Sequence, residues 1–214
     1  MLAFRYPIIA KETGSGISRN TAKALRHIGV KGIDVGGVSG TSFSAVEVYR
    51  AKNINDDLRE RLGRTFWDWG VPTPVSVVSA NVGLDIIATG GIRNGMDVAK
   101  SIALGADGCV IGTADLVAVE CVRCGNCESG RGCARGIAST DPELGCMISE
   151  EYVEQRLINM YMAWRKQWCD ILRGFGMKSI KELTGRSDLL VHLDYLEKEQ
   201  RDKYQPAPEY KMVL

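Results

Sequence analysis

Residues 88–114 read ATGGIRNGMDVAKSIALGADGCVIGTA, and this stretch decides the fold. It runs strand, double glycine, helix, second strand and second glycine turn in one unit. Two neighbouring parallel strands would then place their C-terminal turns side by side, where backbone N–H groups can converge on one phosphate. Gly90 and Gly91 let the backbone approach an oxyanion closely, Gly112 and Thr113 supply the opposite wall, and Arg93 balances charge. The glycines could also serve only to turn the chain tightly. The binding reading is favoured because the second turn falls where a barrel's phosphate pocket closes.

From Tyr6 to about Leu116 short apolar strands alternate with helical stretches. The expected strands are PIIAKETG (7–14), GIDVGGVSG (32–40), LDIIATGG (84–91) and GCVIGT (108–113). Helices are expected from Ser18 to His27 with Ser18 as N-cap, from Phe43 to Lys52, from Thr73 to Asn81 and over MDVAKSIALG (96–105), with a charged stretch at 53–70. The class is α/β. Four such units suit a doubly wound sheet or half of a (β/α)8 barrel, and length favours the half barrel. A helix start at Ala114 to Val119, a cysteine loop and a long helix from Ser149 to about Arg173 follow. Val153, Leu157, Met160, Tyr161, Trp164 and Trp168 fall largely on one face of that helix, which reads as a packing face. The expected division is a half barrel over 1–119, a cysteine loop over 120–148, a helical extension over 149–196 and an extended tail over 197–214.

The run CVRCGNCESGRGCARG places Cys121, Cys124, Cys127 and Cys133, four of the seven cysteines, in a glycine-rich loop. Three thiols spaced by three residues, with a fourth shortly after, fit an iron-sulfur cluster better than zinc, whose cysteine pairs usually stand further apart. Cys109, Cys146 and Cys169 are expected to be non-ligands. Lys11 closes an otherwise apolar strand at the height where barrel enzymes place chemistry, facing either a ligand or a Glu12 partner. Thr41 and Ser42, after the glycines of strand two, suit the rim of a cofactor site, while His27 and His192 read as structural or surface residues. A net charge of +1 with 45% hydrophobic and 25% charged residues gives no field for nucleic acid or an anionic membrane. No run approaches the length of a membrane span, and the thiols read as reduced, so a cytoplasmic location is expected.

Four stretches, KETGSGISRNTAKAL (11–25), IDVGGVSGTS (33–42), WGVPTP (69–74) and GGIRNGMDVAKSIALGAD (90–107), resemble the FMN-binding barrel shared by type 2 isopentenyl-diphosphate isomerase and the synthase domain of glutamate synthase. Past the barrel, the cysteine loop with RGIASTDPEL (135–144) and GFGMKSIKELTGRSDLL (174–190) resembles glutamate synthase alone. The resemblance implies a flavin-facing role, binding or catalytic, for Lys11, and FMN phosphate loops at Gly90, Gly91, Arg93, Gly112 and Thr113. It matches Cys121, Cys127 and Cys133 to the ligands of a [3Fe-4S] cluster, and the extra Cys124 favours [4Fe-4S]. Ser39 stands where the isomerase-like pattern has glycine.

The implied function is an FMN and iron-sulfur oxidoreductase subunit of glutamate synthase type. Electrons would pass from cluster to FMN for reductive formation of glutamate from 2-oxoglutarate and ammonia. The alternatives are an isomerase-like flavoenzyme and an electron-relay subunit. The resemblance begins near the fifth barrel strand, and the chain opens without an N-terminal cysteine nucleophile. A second polypeptide or an N-terminal segment is therefore expected to complete the barrel, with ferredoxin or a reductase subunit as electron donor.

Overall fold

Among the described residues four short parallel strands hydrogen-bond in chain order: β1 (Ile9–Lys11), β2 (Gly32–Asp34), β3 (Asp85–Thr89) and β4 (Gly108–Val110). The computed structural model describes residues 6–39, 41–128, 132–133 and 135–191. The tail at 197–214 and His192 lie outside them, and so does the end of the helical extension. The register pairs Ala10 with Ile33, Ile33 with Ile86, and Ala88 with Cys109. These residues share one face of the sheet, since side chains alternate along a strand. That face carries the core: Ile33, Ile86 and Ala88 are almost wholly buried against Ala22, Val77, Ala80 and Ile102 from the helices. Burying one such isoleucine stabilises the fold by roughly 1.5–3 kcal/mol. The opposite face presents Ile9, Lys11, Asp34, Ile87, Thr89 and Val110, and Ile9 and Val110 at its two edges are 53% and 43% exposed.

Among the described residues the α-helices are α1 (Arg19–Ile28), α2 (Phe43–Asn53), α3 (Asp57–Thr65), α4 (Thr73–Ala80), α5 (Gly95–Ala103), α6 (Thr113–Ala118), α7 (Pro142–Gly145) and α8 (Glu150–Gly174). As expected, the Ser18 hydroxyl accepts the Thr21 N–H at the start of α1. The helix stops at Gly29, whose φ of 91° returns its N–H to Arg26. His27 is exposed, as expected, Ile28 is 52% exposed, and Ala22 is the residue of α1 that is buried. The helix α3 was hidden in the charged stretch 53–70, where Leu58 and Leu62 recur at helical spacing among charged residues and both stay exposed. It forms through the Asp56 cap on the Arg59 N–H and the Arg64–Glu60 pair at 2.7 Å, and it lies on α2 where Gly63 approaches Val48. The strands are shorter than expected, since their glycine-rich ends leave the sheet as turns.

The long helix α8 straps the second half of the molecule. Trp168 Nε1 donates to the Gly95 carbonyl at 2.7 Å, and the Gly95 N–H donates to Gln167 Oε1 at 3.1 Å, so both faces of one peptide position at the start of α5 are read. Trp164, 6% exposed, enters the core, while the Tyr161 hydroxyl donates to Asp115 of α6 at 2.8 Å. The Tyr161 phenol is pushed up to about 12 by burial and by the Asp115 carboxylate. Of the expected packing face, Trp164 is buried and Met160 and Trp168 pack against the core, while Tyr161 is exposed. No helix among the described residues is long and apolar enough to cross a membrane.

Candidate anion cavity and the cysteine loop

The turns after β3 and β4 border a cavity of about 640 Å³. Thr41, Gly90, Gly91, Arg93, Gly112 and Thr113, which the sequence reading assigned to a cofactor, all line it, joined by Ser39, Thr89 and Arg123. Gly90 and Gly91 have φ values of 110° and 74°, a left-handed backbone that glycine adopts without steric cost. An added Cβ at Gly91 would meet only Ser39 Cβ at 3.7 Å, and one at Gly112 would meet nothing within 4 Å, so both backbones face open space. The N–H groups of Gly91, Ile92, Gly112 and Thr113 have no hydrogen-bond partner among the described residues. Thr89 Oγ1 is buried, also without a partner among them. Leaving such a hydroxyl unsatisfied costs about 1–3 kcal/mol. The Arg93 Nε lies 3.5 Å from Asp97 Oδ2 and the guanidinium remains largely in solvent.

Lys11 lines an adjoining cavity of about 170 Å³ that shares Ser39, Thr41, Thr89 and Gly90 with the larger one. It does not pair with Glu12. The Lys11 ammonium donates to Asp34 Oδ2 at 2.7 Å across the β1–β2 register, while Glu12 accepts the N–H groups of Gly14, Ser15 and Gly16 at 2.7, 2.6 and 2.9 Å and closes the loop after β1. Asp34, only 4% exposed, also accepts the Gly36 N–H at 3.2 Å, so it is held by two donors and in turn aims Lys11. Reading by residue type missed Asp34; its signal was a lone carboxylate inside the apolar run GIDVGG. Ser42, expected at the rim, instead caps α2 and donates to the Trp67 carbonyl at 2.6 Å.

The cysteines are placed differently from the expectation. Among the described residues no three His, Cys, Asp or Glu side chains form a group able to hold a metal ion, so Cys121, Cys124, Cys127 and Cys133 are not gathered into one centre. The Cys121 N–H returns to the Leu116 carbonyl at 2.8 Å and keeps this residue on the end of α6, and Cys127 lies in a 3-10 turn over Asn126–Glu128. Cys133 closes its own turn, donating its N–H to Ala138 and accepting from Gly136. Backbone hydrogen bonds from Ala138 and Arg135 to its sulfur hold the Cys133 thiol below the usual range. Burial instead pushes the Cys109 thiol up to about 11, although Ser101 pulls the other way. Thiolate is the reactive form. Alkylation near neutral pH should therefore modify Cys133 and the exposed Cys124 and Cys127 well before Cys109; peptide mass mapping over time checks the order, and early labelling of Cys109 would contradict it.

Comparison with known proteins bears out both resemblances. Residues 75–178 match the family described as the conserved region in glutamate synthase. The isopentenyl-diphosphate delta-isomerases of Methanosarcina acetivorans and Archaeoglobus fulgidus are 61% and 56% identical over 102 and 103 residues, 48% of this chain in each case. That of Thermoplasma acidophilum is 54% identical over 105 residues, 49% of the chain. These matches cover only 28%, 29% and 30% of the respective relatives, so the chain spans less than a third of each. A solved structure of mandelate oxidase with benzoyl-formic acid aligns at a TM-score of 0.45 and 19% identity, over 86% of this chain and 38% of that one. The chain is thus similar to isopentenyl-diphosphate delta-isomerases over about half its length and matches, at residues 75–178, the family described as the conserved region in glutamate synthase.

Proposed function

We propose that this chain is the phosphate-holding, C-terminal half of an FMN-dependent barrel enzyme, with residues 1–119 as the half barrel. One observation carries the reading: two adjacent strand-end turns, whose Gly91, Ile92, Gly112 and Thr113 N–H groups have no partner among the described residues, line one cavity. These donors fit the phosphate and ribityl end of FMN, with Gly91, Ile92, Gly112, Thr113 and Arg93 holding the phosphate and Lys11, aimed by Asp34, at the flavin edge. FMN when bound supplies reduced-flavin chemistry; this chain's residues bind it, orient it and place one ammonium beside it. The sheet face carrying Ile9, Ile87 and Val110 is the lumen side, which a second polypeptide or an N-terminal segment covers by completing the barrel.

Two activities remain. The names of the relatives favour isomerisation of an allylic diphosphate over glutamate formation. Reductive glutamate synthesis, with a ferredoxin or reductase subunit as donor, is the second reading, favoured because the match at residues 75–178 runs through all four loop cysteines. The thiols as placed do not make a cluster site, so no electron-transfer step is assigned to them. The barrel-completed protein should show an oxidised flavin spectrum after loading with FMN. Absence of a bound flavin band would remove the proposal. Turnover of isopentenyl diphosphate, against glutamate formation from ammonia and 2-oxoglutarate, separates the activities, and iron analysis of wild type and Cys124→Ser tests the cluster.

A further inference from the structure

We propose that Arg123 is a phosphate-binding residue, so that the cysteine loop forms a wall of the anion cavity and its conformation sets flavin affinity. This rests on the reading of the cavity as an FMN phosphate site. The run around Arg123 drew attention only for its thiols, yet Arg123 lines the same cavity as Gly91, Arg93 and Gly112.

The chain is brought there by a defined route. After α6, Glu120 adopts a φ of 74°, and the Cys121 N–H bonds back to Leu116, so the chain reverses towards the strand ends. Tyr152 donates to Glu120 Oε1 at 2.6 Å, Arg135 lies 3.6 Å from Oε2, and Arg156 donates to the Ala118 carbonyl at 2.9 Å, which anchors this reversal to α8. Arg123 itself has a φ of 53°, the left-handed region that a non-glycine residue occupies only where its surroundings hold it. Its charge is also uncommitted. Arg93 and Arg135 each face a carboxylate, whereas Arg123 has none among the described residues. A guanidinium with no carboxylate partner among the described residues, lining the same cavity as those four N–H groups, makes a site for a dianion, and its fork geometry matches phosphate oxygens.

The test compares FMN with riboflavin, which lacks the phosphate, by flavin fluorescence in the barrel-completed protein. Arg123→Gly removes the cation but suits the left-handed backbone, so the fold should persist, as circular dichroism would verify. It should weaken FMN about ten- to a hundredfold and leave riboflavin affinity unchanged, with partial recovery in Arg123→Lys. Unchanged FMN affinity, or equal losses for both flavins, would overturn the assignment while sparing the FMN reading. If wild type binds neither flavin, the FMN reading fails by itself, and calorimetry with inorganic phosphate then decides for Arg123. Phosphate binding lost in Arg123→Gly would sustain its anion role, and identical behaviour of the two proteins would end it.

Discussion

Gly91→Asp is expected to lose FMN by at least about a hundredfold and yet remain folded. A unit charge placed about 4 Å from a phosphate costs on the order of 4 kcal/mol near a protein surface, more than enough for that loss. The fold has little reason to object, since the new Cβ stands 3.7 Å from Ser39 Cβ and the left-handed backbone adds only about 1 kcal/mol. Its neighbour behaves in the opposite way. A Cβ at Gly90 would lie 2.5 Å from the Gly37 carbonyl oxygen and 2.7 Å from Thr73 Oγ1, so Gly90→Ala must push backbone apart. That variant should lose roughly 3 kcal/mol of stability through strain and overpacking. Thermal unfolding and flavin titration of both proteins would check the contrast. Wild-type flavin affinity in Gly91→Asp would mean that the phosphate sits elsewhere.

Trp164→Ala should destabilise the protein by about 3–5 kcal/mol, the usual cost of emptying a buried tryptophan site. The ring is 6% exposed, belongs to the core shared with Ile102 and Leu183, and meets the Tyr161 ring edge-on at 5.5 Å. For a chain of this size the loss corresponds to a fall in melting temperature on the order of 10 °C. Tyr161→Phe removes only the bond to Asp115 and should cost about 1 kcal/mol. A loss below that in Trp164→Ala would show that α8 is an appendage and not part of the core.

The elements that residues announced locally were the legible ones. Apolar runs bounded by glycine marked all four strands, Ser18 marked the start of α1, and a one-sided stripe marked α8. The six cavity residues were legible because glycine at a strand end has few reasons to be there. What was hidden depended on partners distant in sequence. Asp34 acquires its meaning from Lys11 only once β1 and β2 are in register, and Arg123 acquires its own only when Glu120 turns the chain. The charged helix α3 was hidden for another reason, being held by a cap and an ion pair while its Leu58 and Leu62 stay exposed among charges. For the cysteines, spacing suggested a common centre, but spacing does not fix where each loop bond sends its thiol.

The strand order of the sheet has a consequence for biosynthesis. Because β1 to β4 lie side by side in the order of the chain, each strand can add to an edge already formed as it leaves the ribosome, with no slot held open for a later arrival. The clamp from α8 onto Gly95 and Glu120 is synthesised after all of these. The helix that fixes the start of α5 and the chain reversal at Glu120 therefore reaches the sheet last, after the strand-end turns already have their neighbours.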